Sequence, residues 1–272
     1  MNPGSPVQAK LSAAPLDFRL ALTFSPAERR AALGALLAVY FEIREIPLEC
    51  RDPGVAEVKL RWWEEEIGEL YAGKPRHPVS VALHPHLTPL AGKQTVFLDL
   101  VSGTRLDVAM PGFASFEDLK RYCYRHSGAL AELSALLAGA RSETALLSAR
   151  LLGNSTRLAD IAARGTAEAL HGRVYFAVED LKKHGVDRHI SGETHGDGPV
   201  KALVQDYAVR SKAMRDEALA GLPDAEIRAL TLWRVLSALA LKRAAKSRSP
   251  AAEPVELHPL SALFTTWRAA RG

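Results

Sequence analysis

The chain has 272 residues, with 35 Lys plus Arg against 31 Asp plus Glu and a formal net charge of +4. Hydrophobic residues make up 47% and charged residues 24%, a mix too apolar for a disordered chain and ordinary for a globular one. Basic residues are interleaved with acids, so the small positive excess does not point to nucleic acid. No run of eighteen apolar residues occurs, so no bilayer-spanning helix is expected, and membrane contact would be at most peripheral. Two cysteines, Cys50 and Cys123, can form neither a zinc site by themselves nor a disulfide framework. A cytoplasmic setting is the default expectation, with inert thiols.

Taken in chain order, residues 1–15 carry Pro, Gly and Ser without an apolar block and read as a flexible N-terminal arm. Ser25-Pro26-Ala27-Glu28 has the form of a helix start. Leu33, Leu36, Leu37, Tyr40 and Phe41 follow at steps of three and four, predicting a helix to about Glu49 with a kink near Pro47. Asp52-Pro53-Gly54 is a turn leading to a second helix, Val55 to Tyr71, with Trp62 pointing inward and Trp63 at a groove. Three prolines between Pro78 and Gly92 allow one short helix and a loop. Gln94 to Met110, Ser115 to Ala140 and Ser142 to His171 read as helices. Gly185 to Gly198 reads as an exposed loop. Three helices close the chain: Val200 to Leu219, Asp224 to Arg248 and Leu257 to Arg271. The expectation is one all-α domain over residues 16–272, of eight to ten helices.

Several stretches are more specific than helix periodicity. They are Val58-Lys59-Leu60-Arg61-Trp62-Trp63-Glu64-Glu65-Glu66, Tyr122-Cys123-Tyr124-Arg125-His126-Ser127-Gly128 and His171-Gly172-Arg173-Val174-Tyr175-Phe176 followed by Glu179-Asp180-Leu181. In order and approximate spacing they resemble the squalene/phytoene synthase family. The resemblance implies an all-α isoprenoid synthase fold with a central cavity. It also implies prenyl diphosphate substrates held through Mg²⁺ by two aspartate-rich patches on facing helices, since magnesium takes hard oxygen ligands.

At those patches the sequence departs from the pattern. Where relatives carry Cys-Arg-x-x-Asp-Asp-x-x-Asp, this chain has Tyr40-Phe41-Glu42-Ile43-Arg44-Glu45-Ile46-Pro47-Leu48-Glu49. Phe41 stands for the diphosphate-binding Arg, and Arg44 and Leu48 stand for the outer acids. In the second patch, where relatives carry Gln-x-x-Asn-x-x-Arg-Asp-x-x-x-Asp, Arg157 and Asp160 stand for the Gln and Asn, Ala163 for the Arg, Arg164 for the central acid and Glu168 for the last acid. At an effective dielectric near 20, a guanidinium a few ångströms from a divalent ion costs several kcal/mol.

Two function classes follow. The first is a catalytically degenerate member that keeps an apolar, prenyl-sized cavity and binds a ligand or a protein partner, with no cofactor expected. The resemblance extends to relatives that act in assembly of respiratory complex I, whose aspartate motifs are also eroded. The second is an active prenyl transferase joining two prenyl diphosphates head to head, with Glu45, Asp160 and Glu168 as reduced Mg²⁺ ligands. Phe41, Arg44, Tyr124, Arg157, Arg164 and Tyr175 are the candidate cavity residues, and three of them are arginines suited to a diphosphate or other anion. Glu45 and Glu49 could instead pair with Arg44, Arg51 or Arg164. His84, His86, His184, His189 and His195 are scattered and lack partner acids at ligand spacing. The run Lys242-Arg243-Lys246-Arg248 reads either as a solvated helix end or as a contact for anionic lipid headgroups.

Overall fold

The computed structural model describes residues 5–110, 112–187, 198–247 and 255–271, and among them every regular element is helical. The N-terminal segment differs from the expected flexible arm. Ser5 caps a helix, α1 (Pro6–Ala13), through its hydroxyl, and Val7, Leu11 and Ala14 are buried. The apolar steps are short, but they suffice to seat α1 on its neighbours. Lys10 reaches across to Glu42 at 3.0 Å and Glu45 at 2.7 Å.

Next come α2 (Leu16–Phe24), α3 (Arg30–Arg44) and α4 (Ile46–Glu49). Ser25 does not start a helix. Its hydroxyl donates to the Ala21 carbonyl and it closes α2. The expected kink near Pro47 is a break at Glu45, two residues before the ring, which places the proline in the first turn of α4, where its missing N–H costs nothing.

In α5 (Pro53–Tyr71) the Asp52 carboxylate accepts from the Gly54 and Val55 amides, so the expected turn is an N-cap with Pro at the first position. Trp63 rather than Trp62 is the buried indole, with the His77 ring 5.0 Å from it. The inward face of α5 runs Leu60, Trp63, Ile67, Leu70, while Val58 is exposed.

The helices α6 (Pro78–Leu83) and α7 (Gln94–Ala109) precede α8 (Phe116–Cys123). A full capping box between Ser115 and Asp118 opens α8. It continues through a π-helical turn, Tyr124–Gly128, into α9 (Ala129–Ala138), so the expected single helix carries one extra residue in its middle. α9 is apolar on all sides and almost wholly buried. Its one acid, Glu132, is held by Lys93 at 2.9 Å and Arg150 at 2.7 Å.

The longest helix, α10 (Glu143–Leu170), is capped by Ser142 and packs against α8, the π turn, α9, α12 (Gly198–Leu219) and α14 (Thr231–Lys246). α11 (Val178–His184), α13 (Asp224–Ala229) and α15 (Pro259–Arg271) complete the order. The stretch expected as one helix from Asp224 is thus split at Leu230 into α13 and α14.

Small residues let α10 act as this axle. A Cβ on Gly153 would lie 2.5 Å from the Ser127 carbonyl oxygen and 2.7 Å from the Gly128 Cα. The obstruction is backbone of the π turn and cannot rotate away. Gly153→Ala is therefore expected to cost about 1–3 kcal/mol through overpacking. A thermal melt of the purified variant, several degrees below the parent, checks this.

Candidate functional site

The inward face of α10 carries Arg157, Asp160, Arg164 and Glu168, spaced three and four apart and so stacked along one side of the helix. Facing them are Tyr40 and Arg44, one turn apart on α3, and His126 of the π turn. Between these elements lies a two-lobed cleft. One lobe, about 220 Å³, is closed by α2, α14 and the segment before α15. The other, about 160 Å³, reaches Glu168, Arg173 and Tyr175. Arg44, His126, Asp160 and Arg164 line both. Each lobe lies below the ~300–1,000 Å³ common for small-molecule pockets.

The floor of the second lobe is a buried polar network. Arg157 donates to the Tyr122 hydroxyl from Nη2 at 2.7 Å and Nε at 3.2 Å. Its guanidinium stands 5.3 Å from the Tyr122 ring centroid and 4.6 Å from that of Tyr175. Both phenols donate to Asp107 Oδ1, at 2.6 Å and 2.9 Å. Burial holds the Tyr122 hydroxyl well above the usual phenol range and pushes Tyr175 up to about 12, so both keep their protons to donate. His126 is buried too, its Nδ1 2.8 Å from the Ser127 hydroxyl. Burial, then the charges of Arg157 and Arg44, drive its pKa well below the usual value. Asp107 Oδ2, at 3.9 Å from Nε2, is too distant to reverse that.

The expected site residues divide. Arg44, Arg157, Arg164, Tyr175, Asp160 and Glu168 come together in the cleft. Phe41 does not. It is buried in the core against Phe18, ring centroids 5.1 Å apart, because it lies about 100° around α3 from Tyr40, the residue that faces the cleft. Tyr124 does not line either lobe. Its half-buried hydroxyl, raised to about 12 mainly by burial, bonds Asp99 instead. Glu45 faces α1 and is held by Lys10, while Glu49 pairs with Lys59 at 3.3 Å, so neither meets Arg44, Arg51 or Arg164. His184 bonds Asp206 at 3.1 Å, and His189 and His195 lie outside the described residues. Burial raises the Cys123 thiol to about 12, in line with an inert role, whereas Cys50 is only half-buried.

Sequence reasoning missed Asp107, His126, Arg173 and Arg243 as cleft residues and Tyr122 as part of the network beneath them. A signal existed for two of them. Tyr122 and His126 are four apart, as neighbours on one helix face must be, and Tyr122 lies in the same motif as Tyr124. Arg243 belongs to the run that reads either as a solvated helix end or as a contact for anionic lipid headgroups. It turns inward, ion-paired to Asp17 and 3.6 Å from Asp160.

A magnesium site of the expected kind does not fit this donor set. Glu45 is taken by Lys10. Arg164 stands one turn from Asp160 on one side and from Glu168 on the other. Among the described residues no group of three or more His, Cys, Asp or Glu side chains gathers to hold a metal. Depth in the cleft desolvates Asp160 and raises its carboxyl, against the pull of Arg157, Arg44 and Arg164.

The architecture is that of an isoprenoid synthase. A crystallised dehydrosqualene synthase superimposes with a TM-score of 0.76 at 17% identity, covering 97% of this chain and 93% of that one. The squalene synthase of Alicyclobacillus acidocaldarius gives 0.77 at 18%, over 89% and 91%. The squalene/phytoene synthase family model matches residues 13–261, and the chain belongs to that family. Among curated relatives, phytoene synthase 3 of Zea mays is 25% identical over 83% of this chain and 54% of its own length. Phytoene synthase of Daucus carota is 24% identical over 81% and 56%. The chain thus spans about half the length of these plant relatives.

His126 gives a pH signature. In the unfolded chain its pKa is near 6.5, whereas the folded value is far lower, so on acidification below about 6.5 the unfolded state takes up a proton that the native state does not. Its contribution is present above that pH and is lost as pH falls toward the folded value. The slope for one such group reaches about 1.4 kcal/mol per pH unit. Denaturant unfolding between pH 7 and 5 should therefore show a shallower pH dependence for His126→Gln than for the parent.

Proposed function

We propose that this chain is a family member in which arginines have replaced magnesium as the means of holding an anion, and that it binds a prenyl diphosphate or similar phosphorylated apolar ligand without condensing two of them. The observation that carries this reading is the cluster of Arg44, Arg157, Arg164 and Arg173 around one lobe, none of them ion-paired to a described carboxylate. Three nearby acids are engaged, Glu45 by Lys10, Asp160 by Arg243 and Asp107 by two phenols, which leaves Glu168 as the acid that lines this lobe beside the four arginines. Guanidinium forks match phosphate oxygens in pairs, and such charge-assisted bonds are about twice as strong as neutral ones.

The size of the cleft supports binding over condensation. Lobes of about 220 and 160 Å³ suit one compact head group with a short apolar reach past Phe18, Tyr40, Leu236 and Trp233. The Trp233 indole N–H is buried without a partner and lines the first lobe, so it offers a further donor there. Such a ligand-bound protein suits a binding or assembly-type role, in keeping with the resemblance to assembly-factor relatives.

The test is calorimetric titration with farnesyl diphosphate and with inorganic pyrophosphate in EDTA. Both should bind, and Arg164→Ala and Arg44→Ala should each weaken binding about tenfold or more, the equivalent of ~1.5–3 kcal/mol per charged hydrogen bond. Formation of a C30 or C40 hydrocarbon from farnesyl or geranylgeranyl diphosphate with magnesium, at a synthase-like rate, would overturn it in favour of the active transferase.

A further inference from the structure

On the outer side of α14, away from the cleft, a second concavity of about 560 Å³ opens between α12, α14 and α15. Four cations line it: Arg215 from α12, Arg234 and Lys242 from α14, and Arg268 from α15. Among the described residues no carboxylate lines it. Arg234 is only 5% exposed, and its Nε has no hydrogen-bond partner. Arg215 finds only the Ser237 hydroxyl, at 3.1 Å. Lys242 donates to the Ser261 carbonyl and, at 2.7 Å, to the Thr265 hydroxyl. The adjoining acid, Asp216, is engaged by Lys212 on the far side of its turn.

Burying a guanidinium without a counter-charge is costly, and a second guanidinium beside it adds to the cost. An anion seated among the four would relieve both. The groove therefore has the chemistry of a phosphate site, with planar forks aimed into a partly dry pocket.

What stands beside the groove identifies the source of the phosphate. Leu260, Leu263, Phe264 and Trp267 follow one another at steps of three, one and three on α15, so they form one stripe. Their exposures are 70%, 45%, 60% and 42%. The opposite face, Ala262 and Thr266, is buried against the body. Phe264 belongs to both the stripe and the groove wall. The Trp267 ring stacks on it with centroids 6.0 Å apart, and Arg271 covers Trp267 at 4.9 Å. A free phosphate would need the cations but not the stripe. A bilayer surface uses both, because aromatic and aliphatic side chains settle at the acyl boundary while Arg and Lys reach the headgroups.

We propose that α15 docks this protein on an anionic membrane: the Leu260, Leu263, Phe264, Trp267 stripe enters the acyl boundary and the Arg215, Arg234, Lys242, Arg268 groove takes the phosphate of an acidic phospholipid. The docking face is separate from the cleft, and this inference does not depend on what the cleft binds. It narrows the lipid contact expected from the basic run. Of that run Lys242 faces the groove, Arg243 turns to the cleft, and Arg248 lies outside the described residues.

The experiment is flotation of the full chain with vesicles of phosphatidylcholine alone or with about 30% phosphatidylglycerol, at low and at high sodium chloride. Binding should be about tenfold or more tighter on the anionic vesicles and should weaken severalfold at high salt. Arg268→Glu should remove most of the preference for anionic vesicles, and Phe264→Asp should abolish flotation. Both side chains are exposed, so melting temperatures should hold and loss of folding cannot imitate the result. Equal flotation on both vesicle types, or unchanged binding by Arg268→Glu, would overturn the proposal. So would inorganic phosphate raising the melting temperature in a protein that does not float, which marks a free-anion site. A concentration-dependent dimer abolished by Phe264→Asp, again without flotation, would assign the stripe to a second copy of the chain and equally overturn it.

Discussion

The buried guanidinium of Arg157 is the constraint around which the cleft is arranged. A charge at that depth has to be surrounded by acceptors and polarisable faces, or the fold loses more than the helix gains. Tyr122 supplies the acceptor, the two phenol rings supply their π faces, and Asp107 fixes both phenols from beneath. Four segments are thereby tied at one point: α7 through Asp107, α8 through Tyr122, α10 through Arg157 and the turn before α11 through Tyr175. The same surroundings act on His126, whose pKa is driven well below the usual value first by burial and then by the charges of Arg157 and Arg44. In a family whose chemistry is organised by divalent cations, the centre of this cleft is organised by a side-chain cation.

Ion pairs between helices continue outward from this centre. On α3 the acid expected at the metal site is turned toward α1, and Lys10 bridges Glu42 and Glu45. On α14, Arg243 joins Asp17 of α2 to the neighbourhood of Asp160 on α10. Lysine and arginine here join neighbouring helices, each reaching across a helix boundary. On the N-terminal helix this adds to the burial of Val7, Leu11 and Ala14. Its one lysine neutralises two carboxylates that would otherwise repel each other on adjacent turns.

Much of this architecture was legible in the sequence. The helix starts at Ser115 and Ser142, the proline breaks and the periodic apolar positions place most helices within a few residues. The motifs name the family, and the family sets the arrangement of α10 opposite α3. Six of nine expected site residues meet in the cleft because they lie on those two helices or on the Arg173–Tyr175 turn. The three misses have local causes. Phe41 and Tyr40 are adjacent apolar aromatics, and helical phase alone decides which one faces the core. Tyr124 stands two residues from Tyr122, about 200° around the helix, and so meets Asp99 while Tyr122 turns to Asp107 and Arg157. Glu45 depends on a partner 35 residues earlier, in a segment whose composition gave no reason to expect a helix. The inversion of Trp62 and Trp63 is the same phase problem, settled by how α5 lies on its neighbours.

Helical phase also explains how one basic run on α14 serves two regions. Arg243 falls in line with Trp233, Leu236 and Ala240 and enters the cleft, whereas Lys242 falls in line with Arg234 and Ala238 and enters the outer groove. The two cations are neighbours in sequence and about 100° apart around the axis. Their fates differ because their surroundings differ. Arg243 meets the carboxylates of Asp17 and Asp160 and is neutralised within the protein. Lys242 meets a carbonyl and a hydroxyl and Arg215 a hydroxyl, and among the described residues no carboxylate lines their groove with Arg234 and Arg268. The mild net charge of the whole protein conceals this asymmetry between a cleft with ion pairs across it and an outer groove lined by cations.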